Sequence, residues 1–469
     1  MATSLELFAT TAFIAVMSAV VAAVVGYPVG MWLASVRRGR RWITSVLVVP
    51  FILPAFLVGV ALRPLLGSLL DTASLALVAL IGAHVLMNAG FLAVVSASSL
   101  APRDQCEAAA LDGASPAHIR WFIHLPQQLP ALSAASLLVA LYSATSFGLV
   151  ITLGQGSLRT LETEIVTAAL QRLDLATASW LALLQTILTL SFFLVARRLG
   201  AHPTALFGEI PPATHPSPLG RLLGVGLTLS VLWILGGVFV LAATAGPGWW
   251  GNLINLDGRG TRDLLNVSVL GAAGNSLRNL VIATILSLAV AWWLSQKKVG
   301  LALLIPIGIS PVVLGLGALV LSGYLPPAVF GSWLLLPIVQ SVFLTPLAFQ
   351  IISPARRGLS QDLLDAGTLD GATGLQRVWH LELPLLSAPL MVAGALVSLG
   401  SLGEFGAARF LTYGSEQTLP LVMFRLISRP GPENLGMAMM AASLFILVAL
   451  GLVWLMFSAT RARWEEAHR

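Results

Sequence analysis

The sequence predicts an all-α integral membrane protein of about eleven transmembrane helices in two parallel repeats, five spans in the first and six in the second. Three observations carry this. The 469-residue chain is 57% hydrophobic and 10% charged, with mean hydropathy +0.89, where soluble domains carry about 25% charged residues. Apolar runs of roughly 20 residues, the length that crosses a bilayer, recur throughout. One polar pattern occurs twice, 258 residues apart.

The predicted spans lie near 8–34, 43–62, 74–97, 132–153 and 179–196, then 222–245, 275–295, 301–322, 333–352, 389–408 and 437–458. The first has no basic residue before it and runs on to Ala34, so it reads as a spanning helix and not a cleaved signal. The cluster Arg37, Arg38, Arg40 and Arg41 marks the cytoplasmic end of that span. Alternation then puts Arg197-Arg198, Lys297-Lys298, Arg356-Arg357 and the tail Arg461–Arg469 on the same side. The expected topology has its N-terminus outside and its C-terminus in the cytoplasm, although Arg63, Arg159, Arg172, Arg425 and Arg429 fall on the outer side. Basic residues at span ends also account for the net charge of +6 and the pI near 10.2 without a nucleic-acid partner. The single cysteine, Cys106, excludes an internal disulfide, and the seven histidines show no metal-ligand spacing. No catalytic or metal site is expected.

The repeated pattern lies in two cytoplasmic loops, 98–131 and 353–388. The first copy runs Glu107-Ala108-Ala-Ala-Leu-Asp112-Gly113 and then Ile123-His-Leu125-Pro126. The second runs Asp365-Ala-Gly-Thr-Leu-Asp370-Gly371 and then Leu381-Glu-Leu383-Pro384. Six spans separate the copies, an even number, so the repeats are parallel. The offset extends to Phe147-Gly148 with Phe405-Gly406 and to Thr160-Leu161 with Thr418-Leu419; Leu53-Pro54 and Ser310-Pro311 match at nearly the same offset. The span 222–245 has no partner, because seven residues precede the first helix. These matches divide the chain into a first repeat, 1–200, a proline-rich cytoplasmic joint, 201–218, and a second repeat, 219–469.

Locally, Asp104 with Glu107 resembles a capping box, and Glu107 to Asp112 favours helix. Gly113 stands where a helix ends in a left-handed residue, and Ser115-Pro116 opens a second helix. That helix is expected to present Ile119, Phe122 and Ile123 and to stop at Leu125-Pro126. In the second copy Asp362 and Asp365 replace the box, Gly371 ends the first helix, Thr373 caps the second, and Leu375, Val378 and Trp379 form the apolar side. Such a face needs a partner to cover it; an interfacial hairpin resting on lipid is the alternative.

These residues resemble the cytoplasmic signature loop of permease subunits of bacterial binding-protein-dependent ABC importers. The first copy matches closely; the second departs at Asp365, Gly367 and Leu381 but keeps Gly371 and Leu383-Pro384. Two copies in one chain resemble the double-length permeases of thiamine and ferric-iron importers. The resemblance implies a type I importer fold in the bacterial inner membrane. It also implies two copies of a separate cytoplasmic ATPase on the loops, a periplasmic solute-binding protein outside, and lipid around the spans. The two lysines, Lys297 and Lys298, fit no phosphate-cradling loop, so ATP is expected on the partner subunit, with no cofactor on this chain and no enzymatic role.

Glu404 lies within or beside an apolar run, and Ser146 is its repeat mate. Such a carboxylate faces a cavity or a partner, so both residues are candidates for the substrate path, with a salt bridge from Glu404 to Arg409 or a gate support as the structural alternative. The outer segments 154–177 and 411–436 carry Glu162, Glu164, Arg172, Glu416, Arg425 and Arg429, as a surface for the binding protein or as solvated loops. The expected function is import of a small hydrophilic solute, thiamine-like or ferric iron; the alternative is a secondary transporter driven by an ion gradient.

Overall fold

The computed structural model describes residues 3–53, 55–154, 156–199, 210, 218–246, 248–254, 256, 265–297, 306, 308–324, 326, 333–429 and 431–467. The joint 201–218 lies outside these residues save for 210 and 218, as does Lys298. All regular structure among the described residues is helical, the form in which a membrane segment satisfies its own backbone.

The first repeat comprises α1 (Ser4–Ser35), α2 (Arg40–Ile52), α3 (Ala55–Leu66), α4 (Ala73–Ser98), α5 (Arg103–Leu111), α6 (Pro116–His118), α7 (Leu125–Ala144), α8 (Phe147–Leu153), α9 (Leu161–Val166) and α10 (Leu175–Arg198). Helix α11 (Pro218–Thr244) and the short α12 (Trp249–Ile254) follow. The second repeat comprises α13 (Val269–Ser295), α14 (Pro311–Ser322), α15 (Leu335–Arg357), α16 (Gln361–Leu369), α17 (Gly374–Arg377), α18 (Leu383–Leu385), α19 (Ser387–Leu402), α20 (Ala408–Leu411), α21 (Leu419–Ile427) and α22 (Pro432–Ala467). Boundaries repeat at the sequence offset: Arg103 and Leu111 of α5 become Gln361 and Leu369 of α16, and Leu161, which opens α9, becomes Leu419, which opens α21.

Among the described residues seven helices are long and apolar enough to span, and three bent pairs raise the number to ten. The expected eighth span, 301–322, is represented among the described residues by the twelve-residue α14. The expected span 132–153 is α7 and α8, bent by 58° where Thr145 and Ser146 leave the helical path. The expected span 389–408 ends early, because α19 stops at Leu402 and a non-helical stretch leads into α20. Likewise, 43–62 is two helices, α2 and α3, meeting around Leu53.

Packing is as repetitive as topology. Helix α1 packs on α4 and α7, α3 on α8, and α10 on α7 and α9; in the second half α13 packs on α15 and α19, α14 on α20, and α22 on α19 and α21. Helix α11 bridges the halves by lying against α1, α2 and α22. One apolar core joins Phe56, Leu57 and Leu149 to Leu399, Leu402 and Val422, so the repeats share an interior instead of forming two independent domains. Helices α1 and α4 run parallel, since Gly26 lies against Ala89 and Leu92 while Gly30 lies against Ala93 and Ser96. The arginines after α1 and the loop after α4 therefore leave from one end of the bundle.

Candidate functional site

At that end stand the two polar hairpins. Helix α5 begins after Pro102 with no side-chain cap, so the expected Asp104–Glu107 box does not form. Glu107 instead accepts from Arg103 Nε at 2.6 Å along the helix. Gly113 and Gly371 are both left-handed, at φ +86° and +82°. The N–H of Ala114 donates to Ala109 O at 2.9 Å and that of Ala372 to Gly367 O at 3.0 Å, the bond that closes a helix through a left-handed residue. Ser115 then caps α6 by accepting from His118 N at 3.2 Å. At the equivalent Thr373 the backbone N–H donates to Gln376 Oε1 at 2.9 Å.

The second helix does not stop at Leu125-Pro126. The chain runs from α6 through a π-helical turn, Ile119–His124, directly into α7. Leu125 N donates to Arg120 O and Leu383 N to Val378 O, five residues back in each case. The wide turn absorbs Pro126 and Pro384, which lack an N–H and would crowd the preceding carbonyls of a regular helix. The first hairpin is thus continuous with the spanning helix α7, whereas in the second the π turn leads into α18, which meets α19 across a 69° bend at Leu386.

Both hairpins expose the same apolar groups. Leu111 is 89% exposed and its repeat mate Leu369 88%; Trp121 is 57% exposed and its mate Trp379 63%. Phe122 is also exposed, stacked on His118, whereas Ile119 is buried and Val378 half-buried. Leu375 lies outside the residues whose side chains are described. Glu107, Ala108, Asp112, Gly113 and Pro126 are at the surface, as are Asp365, Asp370, Gly371 and Pro384; Ile123, Leu125, Leu381 and Leu383 are half-buried. Leu111, Trp121 and Leu369 were missed by motif reading. Recurrence of a large apolar residue at the same offset, inside an otherwise polar loop, is the signal that would have found them.

The hairpins are latched to the bundle differently. In the second, buried Glu382 accepts from Arg356 Nε at 2.9 Å and from Arg377 Nε at 3.0 Å, and Arg356 lies over Trp292 of α13. His124 occupies the equivalent place in the first, taking a bond from Ala101 N at 3.3 Å through Nδ1, with Nε2 3.6 Å from Cys106 Sγ. Partial burial, then the charges of Asp104 and Glu107, push the Cys106 thiol above its ordinary range.

A second constellation lies toward the far end of α7. Phe147 and Phe405, repeat mates, stack on each other with centroids 5.6 Å apart, and Phe56 and Phe424 close around them. Gly148 and Gly406 allow this. A Cβ on Gly148 would come within 2.7 Å of Phe56 N, and one on Gly406 within 2.8 Å of Val312 Cγ2. Glu404 is buried and accepts from the backbone N–H groups of Ala407 at 2.5 Å and Ala408 at 3.1 Å, so it caps the turn into α20. It makes no ion pair with Arg409, whose guanidinium lies over Phe424 at 4.9 Å and Phe147 at 5.5 Å. Ser146 is buried with its hydroxyl unpartnered.

Beside the aromatic cluster is a cavity of about 770 Å³, lined among others by Phe147, Ile151, Arg159, Glu164, Arg172 and Arg409. Of the outer residues singled out above, Glu162 is not solvated: it is buried against Ser310 and Gln185. Glu164 pairs with Arg172 and, at 3.9 Å, with Arg159; Glu416 pairs with Arg278 of α13. Among the described residues no cluster of histidine, cysteine or carboxylate side chains is arranged to hold a metal.

Residues 26–202 match the model of the binding-protein-dependent transport system inner membrane component family. The molybdenum transport system permease protein ModB of Haemophilus influenzae is 30% identical over 193 residues, 36% of this chain and 81% of that protein. The chain belongs to the binding-protein-dependent transport permeases. A Haloferax volcanii protein named as a molybdenum ABC transporter permease is 29% identical over 222 residues, 43% of this chain and 80% of its own length. A Salmonella choleraesuis protein named as the 2-aminoethylphosphonate transport permease PhnV is 29% identical over 170 residues, 36% of this chain; the match spans 62% of that relative. All three are named as permease proteins of transport systems. The family match covers residues 26–202, and helix boundaries and packing recur at the same offset in the second half.

Proposed function

We propose that this chain is the double-length permease of an ABC importer that moves a small hydrophilic solute into the cytoplasm. The observation that carries the reading is the pair of equivalent hairpins at one end of the bundle, the first running through a π turn straight into α7 and the second through a π turn and a 69° bend into α19. Each hairpin offers a leucine and a tryptophan to solvent. A partner that buries Leu111 and Trp121 on one side, and Leu369 and Trp379 on the other, acquires two levers on the bundle. Two ATPase subunits fit that role, with a periplasmic binding protein at the opposite face and the N-terminus outside, as the arginine clusters favour. Alternation between inward- and outward-open states then follows from ATP-dependent closure acting on both levers.

The cargo favoured is a small oxyanion. The thiamine or ferric-iron expectation came from the resemblance to double-length permeases; Glu404 is taken up by Ala407 and Ala408, and the three relatives described above carry the names of phosphonate and molybdenum systems.

The test is to express the chain with its candidate ATPase and substitute Trp121→Glu and Trp379→Glu, singly and together. Each single variant should weaken ATPase co-purification and ATP-dependent uptake, and the pair should abolish both. Uptake that persists in the double variant and collapses with a protonophore would establish the ion-gradient alternative instead.

A further inference from the structure

The cavity beside Phe147 is chemically one-sided. Three arginines, Arg159, Arg172 and Arg409, face one glutamate, Glu164, so three positive charges less one negative leave two in excess. Glu164 is bracketed by Arg159 and Arg172. Arg409 has no carboxylate within ion-pair distance among the described residues, and its buried Nε lacks a hydrogen-bond partner. Thr163, Thr167 and Gln171 add neutral hydrogen-bonding groups to the same wall. Arginine guanidinium groups present fixed forks that match oxyanions, and partial burial strengthens the attraction.

The cavity also lies on the pseudo-twofold axis. Ile151 and Arg409 are 258 residues apart, hence repeat mates, yet both line this one space. Phe147, a third lining residue, stacks on its own mate Phe405. Two equivalent positions meet only where the halves face each other, the place through which a solute handed between the halves must pass. The charge is nevertheless asymmetric, because the mates of Arg159 and Glu164 are Gln417 and Val422.

We propose that this cavity is an anion-binding station within the permease, with Arg409 and Arg172 as principal ligands for a small free oxyanion. Its place on a transport route rests on the importer reading; its capacity to bind an anion does not. Its volume suits a small solute with several polar contacts.

The full chain in phosphatidylcholine nanodiscs is titrated calorimetrically with molybdate, 2-aminoethylphosphonate and thiamine. The two oxyanions should bind and thiamine should not. Arg409→Gln and Arg172→Gln should each weaken oxyanion binding about tenfold, the loss expected for one charge-assisted contact. Ile151→Asp, which sets a carboxylate opposite Arg409 without removing any ligand, should abolish it and serves if an arginine variant misfolds. Absence of oxyanion binding to the wild-type chain, or binding unchanged in all three variants, overturns the proposal. So does binding eliminated by phosphatidylglycerol in the disc, which would assign the arginines to a lipid phosphate. ATP-driven uptake by the reconstituted system is measured in parallel. Uptake without oxyanion binding sinks this site alone, and binding without uptake leaves the site standing and sinks the importer reading.

Discussion

Single residues decide how firmly each hairpin is held. Glu382 is almost fully buried between Arg356 and Arg377, so Glu382→Ala leaves two guanidinium groups uncompensated near Trp292. Breaking a pair buried on one side should cost about 3 kcal/mol, discounted because Arg377 is partly exposed, with Glu382→Gln milder. Fluorescence-detected gel filtration after stepped heating reads that loss. Gly113 and Gly371 have open space where a Cβ would sit, so Gly113→Ala acts through backbone strain and not collision, by about 1 kcal/mol. Gly113→Asn should be gentler, because asparagine tolerates the left-handed region. Cys106 offers a pH readout. A thiol with a raised pKa is less ionised near neutrality, so maleimide labelling should rise at higher pH than for a free cysteine. Glu107→Gln removes one of the charges responsible and should shift the labelling curve to lower pH; an unmoved curve would rule that charge out.

At the scale of elements, the repeats use the same pins. Leu161 N, at the start of α9, donates to Thr11 Oγ1 of α1 at 3.0 Å, and Leu419 N, at the start of α21, donates to Ser276 Oγ of α13 at 2.8 Å. Thr11→Val and Ser276→Ala should each orphan a buried backbone N–H and cost about 1–3 kcal/mol, additively because the sites lie in different halves. The same melting assay tests this, and strong non-additivity would show that the two pins act as one. Much at this scale was legible in advance. Long apolar runs gave α1, α4, α10, α11, α13 and α15 within a few residues, because burial in lipid leaves a simple compositional mark. The breaks within spans were not legible. Phe405 and Glu404 sit in a run whose hydropathy continues past Leu402, and only the cap that Glu404 gives to Ala407 and Ala408 shows where the helix turns. The proline rule also led to a stop at Pro126, since a proline reads as a breaker unless its neighbours widen the turn.

Across the whole molecule, the proposed importer function requires the halves to move against each other, and the Phe147–Phe405 contact is where that is tested. Two cysteines placed there in a Cys106→Ser background should crosslink on mild oxidation, and the crosslinked chain should lose ATP-driven uptake until reduced. Retained uptake after complete crosslinking would show that this contact does not open during transport.

The sequence by itself determined the membrane class, the duplication and the position of both hairpins, because lipid burial and a repeated motif are written in residue type and spacing. Tertiary structure alone decided which side chains of the hairpins reach solvent, that Glu404 caps a helix, and that Arg409 shares one cavity with Arg159 and Arg172. Arg409 lies 237 and 250 positions from Arg172 and Arg159, and only packing of one repeat on the other brings such distant charges together.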